Sequence, residues 1–236
     1  MNYIEEIINS QKDLKLISKN KTELIVKAKY GPSKETSIPL VLNEELSFFI
    51  ATIIGDGHLR KGKEQITIEL TNKKLIKIVQ KVTRDLFSRE FNIKSRIKNE
   101  KPTYYILMDS KAIYKLLNKV FEIPFGKKSH LIKIPKYIMK SNNKIKLAFL
   151  QGILVTEGGK RKRGFGMSTA SKQLWEDLIK VFKEVGIKTL VDKWVHKKYK
   201  KEYYGLCFKK QELPIIFAGV PEWSNGRDLG VFFYQK

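Results

Sequence analysis

The chain has 236 residues, enough for one domain or two small ones with a core of real size. Lysine and arginine number 47 against 24 aspartates and glutamates, and the net charge of +23 calls for a polyanionic partner, nucleic acid ahead of an anionic membrane. The single Cys207 excludes an internal disulfide framework and a cysteine-built zinc site, and no apolar run approaches the roughly 18 residues of a membrane span.

Residues 1–36 read as an N-terminal extension: a short helix, a strand over 24–29 and a Gly31-Pro32 turn. Their first ten residues, MNYIEEIINS, are neither basic nor continuously apolar, so no signal peptide is expected and the setting is cytoplasmic, or at least intracellular and reducing. An apolar helix follows over about 44–55 and breaks at Gly55-Asp56-Gly57, after which Arg60, Lys61 and Lys63 crowd together. Two short strands come next. In the second, Ile66, Ile68 and Leu70 alternate with Gln65, Thr67 and Glu69, the period of a half-buried strand. Leu75, Ile78, Val79, Val82 and Leu86 then recur at helical spacing over about 72–88. Strands over 93–98 and 103–109 and a short helix close the unit, and 122–142 links it onward.

The order then repeats. An apolar helix over 143–156 ends in Thr156-Glu157-Gly158-Gly159, and strands follow with FGMST (165–169) as the clearer member. A helix over 171–185 stops at Gly186, and strands over 187–196 and 202–208 precede a last short helix. Residues 219–236 form a turn-rich tail whose Val231-Phe232-Phe233 is expected to dock back. The chain starts with Met and does not end in His-Asn, so self-splicing is not expected.

The likeness of the halves is one of residues as well as order. At an offset of 99, Leu75 meets Leu174, Ile66 meets Phe165, Ile68 meets Met167, and YYILMDSKAIYKLL (104–117) meets YYGLCFKKQELPII (203–216). Ile38-Pro39 matches Ile134-Pro135, and Asp56 matches Glu157. The chain therefore reads as two copies of an αββαββα unit, 37–121 and 143–218, in the α+β class. Each antiparallel sheet would carry helices on one face and leave a basic face open.

The paired acids raise a question of charge. Ala51 and Gly152 fall at equivalent places and would let the two apolar helices approach closely. Asp56 and Glu157 would then meet where two helix C-termini are already partly negative. A divalent cation such as Mg²⁺ relieves that repulsion and prefers oxygen ligands. Taken singly, Gly-Asp-Gly and Glu-Gly-Gly are ordinary helix stops; their occurrence at matched places in a duplicated unit favours a site.

FIATIIGDG (49–57) and LQGILVTEG (150–158), with their flanking Ile-Pro segments, resemble the paired nonapeptides of the LAGLIDADG (DOD-type) homing endonucleases in their single-chain, two-repeat form. The resemblance spans about 37–218 and implies two pseudo-twofold-related repeats forming a β-saddle, with the signature helices packed at the repeat interface. It implies Mg²⁺, with Mn²⁺ as a substitute, held by Asp56 and Glu157 and by the carbonyls of Gly55 and Thr156. It also implies a basic residue beside the catalytic water. Lys160, three beyond Glu157, is the candidate, either for that role or for phosphate binding within the run 160–163. His58 reads as a polar loop residue. Glu69, Thr67 or Ser168 would stand where the family often has glutamine, and Thr52 and Gln151 depart from the nonapeptide pattern without touching the acids.

Arg60, Lys61, Lys63, Lys94, Arg96, Lys98, Arg161, Arg163, Lys193, Lys197 and Lys198 are the candidates for contacting double-stranded DNA along the open sheet faces. The tyrosine pairs 104–105 and 203–204 read as packing, with one of each pair facing the core. The expected activity is that of a Mg²⁺-dependent, site-specific DNA endonuclease working as a monomer. A cleavage-inactive DNA-binding regulator and an intron RNA maturase on the same scaffold stay open.

Overall fold

A computed structural model describes residues 3–197 and 200–217. The N-terminal segment begins with α1 (Tyr3–Asn9) and strands β1 (Leu14–Lys19) and β2 (Glu23–Ala28). They join β3 (Thr36–Pro39) in a three-stranded antiparallel sheet ordered β1-β2-β3. The sequence reading has one strand here. β1 escapes it because the alternation of Leu14-Lys15-Leu16 is broken at once by Ile17, and the strand buries too little to need a longer apolar pattern: only Leu14 is half-buried and the other five residues are exposed. The boundary drawn at 36/37 falls inside β3.

The first repeat runs α2 (Glu44–Asp56), β4 (Gly57–Arg60), β5 (Gln65–Leu70), α3 (Lys73–Phe87), β6 (Ile93–Lys98), β7 (Lys101–Asp109) and α4 (Lys111–Lys115), which continues into one wide turn at Leu116–Val120. After α5 (Lys136–Met139) in the linker, the second runs α6 (Asn143–Glu157), β8 (Gly159–Arg161), β9 (Gly164–Thr169), α7 (Lys172–Glu184), β10 (Leu190–His196), β11 (Lys201–Phe208) and α8 (Leu213–Phe217). The sheets have the same antiparallel order, β4-β5-β7-β6 and β8-β9-β11-β10. The α+β class and the αββαββα duplication stand as the sequence implies.

Both signature helices start alike. Asn43 and Asn142 are the N-caps, and their side-chain oxygens accept from the backbone N–H of Leu46 (2.8 Å) and Ile145 (3.1 Å). Both helices are apolar nearly all round, because each packs on its own sheet and on the other helix. Phe48, Phe49, Ile50, Ile53, Phe149, Leu150 and Ile153 are fully buried. Across the seam the Ser47 hydroxyl donates to the Ile145 carbonyl at 2.8 Å.

Two glycines set how close the helices come. A Cβ on Gly152 would lie 2.5 Å from the Phe48 carbonyl oxygen and 2.6 Å from the Ala51 Cβ. One on Gly55 would lie 2.1 Å from the Thr156 Oγ1 and 3.3 Å from the Glu157 Cγ. The seam is therefore tight along its length, and it brings the two C-terminal ends together.

The amphipathic helices α3 and α7 cover the inner face of each sheet. Leu75, Val79 and Val82 from α3 and Leu174, Leu178 and Val181 from α7 are buried. On β5, Ile66, Ile68 and Leu70 point inward, which turns Gln65, Thr67 and Glu69 to the open face. Gly186 takes the left-handed conformation just past α7 (φ 82°), a geometry that suits glycine.

Candidate active site

Asp56 is the last residue of α2 and Glu157 the last of α6. Each is followed by a glycine whose N–H closes the helix, Gly57 onto the Ile53 carbonyl and Gly158 onto the Leu154 carbonyl. The chain then turns directly into the first strand of its sheet. The carboxylates thus stand on the seam where helix pair and sheets meet, reachable by solvent from the open side but backed by protein.

That setting perturbs both acids. The surrounding protein mass, then the neighbouring Glu157, push the Asp56 carboxyl up to about 7, with Lys128 pulling the other way. Burial also raises Glu157, again opposed by Lys128. Two coupled acids at two helix C-termini repel each other as the sequence suggests.

Sequence reasoning missed the cation that answers them. Lys128 comes from the inter-repeat linker, 29 residues ahead of Glu157. Its Nζ donates to the carbonyls of Ile53, Ile54 (2.7 Å) and Gly55 (3.2 Å), capping the C-terminus of α2. Burial pushes this lysine down to about 8, while Glu157 and Asp56 favour its charged form. One signal was available: a lysine pair follows a glycine in the linker, shortly before Ile134-Pro135.

A recess opens on each side of the carboxylate pair. One, of about 330 Å³, is lined by Asp56, Glu69, Asn72, Leu75, Thr156 and Gly159 among others. The other, of about 230 Å³, holds Glu157, Gly55, Lys128, Ser168, Thr169 and Leu174. The two correspond across the duplication, since Leu75 and Glu69 of the first match Leu174 and Ser168 of the second.

The donor set fits a hard divalent cation in part. Magnesium takes one or two carboxylates and keeps several waters, which is what Asp56 and Glu157 can offer. Among the described residues no group of three or more His, Cys, Asp or Glu side chains gathers anywhere, so further ligands must be carbonyls, water or substrate oxygens. The Gly55 carbonyl is engaged by Lys128. The Thr156 hydroxyl bonds back to the carbonyls of Gly152 (3.0 Å) and Ile153 (3.1 Å), leaving that residue's carbonyl as the remaining candidate.

Lys160 stands exposed on β8, opposite Phe165, and lines neither recess. β8 carries it away from the helix ends. His58 is exposed on β4 opposite Thr67.

The basic candidates lie on the sheets and their turns. Arg60 donates to the Gln65 side chain (3.0 Å), Lys61 lies over the Phe125 ring (5.9 Å), and Lys63 is in the β4–β5 turn. On β6, Lys94 is exposed opposite Tyr105. Arg96 pairs with Glu69 at 2.5 Å and stacks on Tyr105, and Lys98 approaches Glu69 at 3.5 Å. These cations hold the Glu69 carboxyl below its usual range. Arg161 on β8 donates to the Ser168 hydroxyl at 3.2 Å, and Arg163 is in the β8–β9 turn. Lys193 is exposed on β10 and Lys197 just beyond it, while Lys198 lies outside the described residues, as does the tail over 219–236. Of the tyrosine pairs, Tyr204 is buried and Tyr203 stacks on Trp194 at 6.1 Å; Tyr104 and Tyr105 are both half-buried.

Residues 144–218 match the family model described as a LAGLIDADG-like domain. The replication factor C small subunit of Methanocaldococcus jannaschii is 36% identical over 188 residues, which is 79% of this chain and 10% of that protein. The chain therefore spans only a small part of that curated relative. The homing endonuclease I-DmoI, solved in complex with DNA and Ca, superposes with a TM-score of 0.53 at 16% identity, covering 78% of this chain and 97% of that one. Full-length DUF199/WhiA from Thermatoga maritima superposes with a TM-score of 0.52 at 13% identity, covering 82% and 61%. At such identities the likeness is one of fold.

Proposed function

This chain is a two-repeat LAGLIDADG protein, and from that premise we propose that it is a site-specific endonuclease that hydrolyses double-stranded DNA. The observation that carries the reading is the meeting of Asp56 and Glu157 at the ends of two helices packed on glycine, with Lys128 beside them and a basic sheet on either side.

The basic open faces take the phosphate backbone and release its counterions, which gives affinity and strong salt dependence. Exposed strand residues such as Lys94 and Lys193 reach base edges or phosphates in the major groove. The seam then lies beneath the scissile phosphates. Asp56 and Glu157 would hold the divalent ion, Mg²⁺ with Mn²⁺ as substitute. When bound, that ion supplies Lewis acidity toward an attacking water and counter-charge at the leaving oxygen. Lys128 offsets part of the cost of ionising the two acids side by side and adds positive potential where charge gathers on the phosphate. The pseudo-twofold repeats let one chain span both strands, so the protein acts as a monomer.

The test is scission mapping. Purified protein is incubated with a complex genomic DNA library and Mg²⁺, newly made ends are sequenced, and Asp56→Asn and Glu157→Gln run in parallel. New ends clustered at one sequence and absent from both variants are the expected result. Sequence-selective retention of DNA with no ends in Mg²⁺ or Mn²⁺ defeats the nuclease reading and leaves a DNA-binding protein on this fold.

A further inference from the structure

The two open sheet faces differ most along their outer strands. Residues opposite each other in an antiparallel pair share a face. In the first repeat Ile68 pairs with Ile106, and in the second its counterpart Met167 pairs with Leu206. By that register Gly205 answers to Tyr105, one residue off the match that the letters suggest, and Asp192 answers to Lys94. The first outer strand thus offers Lys94, Arg96 and Lys98 to the open face, and the second offers Asp192, Trp194 and His196. Gly205 makes the exchange possible. A Cβ there would overlap the Asp192 Oδ1 and lie 3.0 Å from the Trp194 Cζ3, so both side chains lie across β11, where the first repeat has the Tyr105 ring beneath Arg96. The result is a groove of about 370 Å³ with the exposed Asp192 and Trp194 toward one edge of the sheet and Arg161 and Arg163 of the β8–β9 hairpin toward the other.

We infer that Asp192 determines specificity by demanding cytosine at one position of the target half that lies on the second repeat. The inference rests on the DNA-binding part of the proposed function and deepens it. A carboxylate facing a polyanion is repelled by it, so Asp192 lowers affinity for duplexes in general. It regains the loss only where a base edge supplies a donor. In the major groove guanine presents N7 and O6 and thymine presents O4, all of them acceptors. Adenine presents its N6 amine beside the N7 acceptor, which a carboxylate opposes, whereas cytosine presents its N4 amine with no acceptor of its own beside it. An ionised Asp192 only accepts, so cytosine is the base whose edge gives what this side chain takes. Arg161 and Arg163 across the groove carry the charge that suits phosphates, which leaves the carboxylate to the bases. The alternative is that Asp192 orients those arginines, which would then read guanine.

Selection of bound DNA separates the two roles. The full chain, with Ca²⁺ in place of Mg²⁺ so that binding is read without scission, selects from a randomised duplex library. The recovered motif is compared for wild type, Asp192→Asn, Asp192→Lys and Asp192→Ala. Wild type should require cytosine at one position, preferring it about tenfold or more over each other base. At that position alone, Asp192→Asn should prefer adenine, Asp192→Lys should prefer guanine, and Asp192→Ala should level the four bases. Asp192→Ala should also bind unrelated duplex more tightly than wild type, because the repulsion is gone. A motif that none of the substitutions changes, or an Asp192→Asn protein that loses a guanine instead of exchanging a cytosine, overturns the inference. Selective binding with no scission in Mg²⁺ ends the nuclease reading and leaves this inference standing, whereas the absence of any selective binding ends both.

Discussion

Gly152→Ala probes the seam on which the site depends. In an ordinary helix the change is favourable by about 1 kcal/mol, because alanine loses less backbone freedom on folding. Here the new Cβ would sit 2.5 Å from the Phe48 carbonyl oxygen and 2.6 Å from the Ala51 Cβ, where ordinary contact begins at 3.4 Å. Relief therefore requires the helices to part by roughly 0.9 Å (3.4 less 2.5), since a backbone carbonyl inside a helix cannot swing aside. Overpacking of this kind costs about 1–3 kcal/mol, and with backbone as the obstacle the upper end applies. The net expectation is a loss of about 2 kcal/mol, or roughly 4–8 °C in Tm for a chain of this size. Gly159→Ala, with nothing within 4 Å of the added carbon, should stay within about 0.5 kcal/mol and serves as the control. Urea unfolding reads stability. Scission of the recovered target reads geometry, because misplacement of the acids by about 1 Å costs on the order of 10²-fold. A Gly152→Ala protein as stable as wild type and fully active would refute the claim that close approach at this glycine positions the acids.

Other consequences are open to measurement. The folded chain holds the Asp56 proton up to about pH 7, whereas the unfolded chain releases it near 3.8, so unfolding in that window releases a proton. Stability of the metal-free protein should therefore fall as pH rises from about 4 to about 7. Asp56→Asn should flatten that part of the profile, and an unchanged slope would count against the shift. Ser171→Ala removes the cap that receives the Leu174 N–H and strands the Ile132 carbonyl, to which the hydroxyl donates at 2.6 Å. It should cost about 2 kcal/mol in denaturant unfolding. Lys193→Ala should reduce the slope of log K against log salt by about one in a binding titration; an unchanged slope would remove it from the phosphate contacts.

Most of the scaffold was legible because duplication let weak signals check each other. Leu75 and Leu174, or Ile66 and Phe165, say little alone, but at one offset they fix helix and strand in both halves. The helices over 44–56 and 143–157 were plain from their continuous apolar character and their acid-glycine ends. Local pattern failed where tertiary context decides. β1 has only the short alternation Leu14-Lys15-Leu16, broken at Ile17, and its residues are almost all exposed. Lys128 lies far from both acids in the chain, and only the docking of the linker on α2 brings its Nζ to the carbonyls there. Proximity in sequence favoured Lys160 instead, but a strand rises about 3.3 Å per residue, so a few positions past Glu157 are enough to leave the recess.

The linker lysine also bears on parity. A homodimer built from two copies of one αββαββα unit must carry every side chain an even number of times, and its axis can hold a single group only by averaging. Joining the copies in one chain lifts that constraint, because the connecting segment exists once. Lys128 belongs to that segment, and among the described residues the recess on the Asp56 side has no lysine or arginine to match it. The halves are then free to differ, and the polyanion they grip has no need to read the same in both directions.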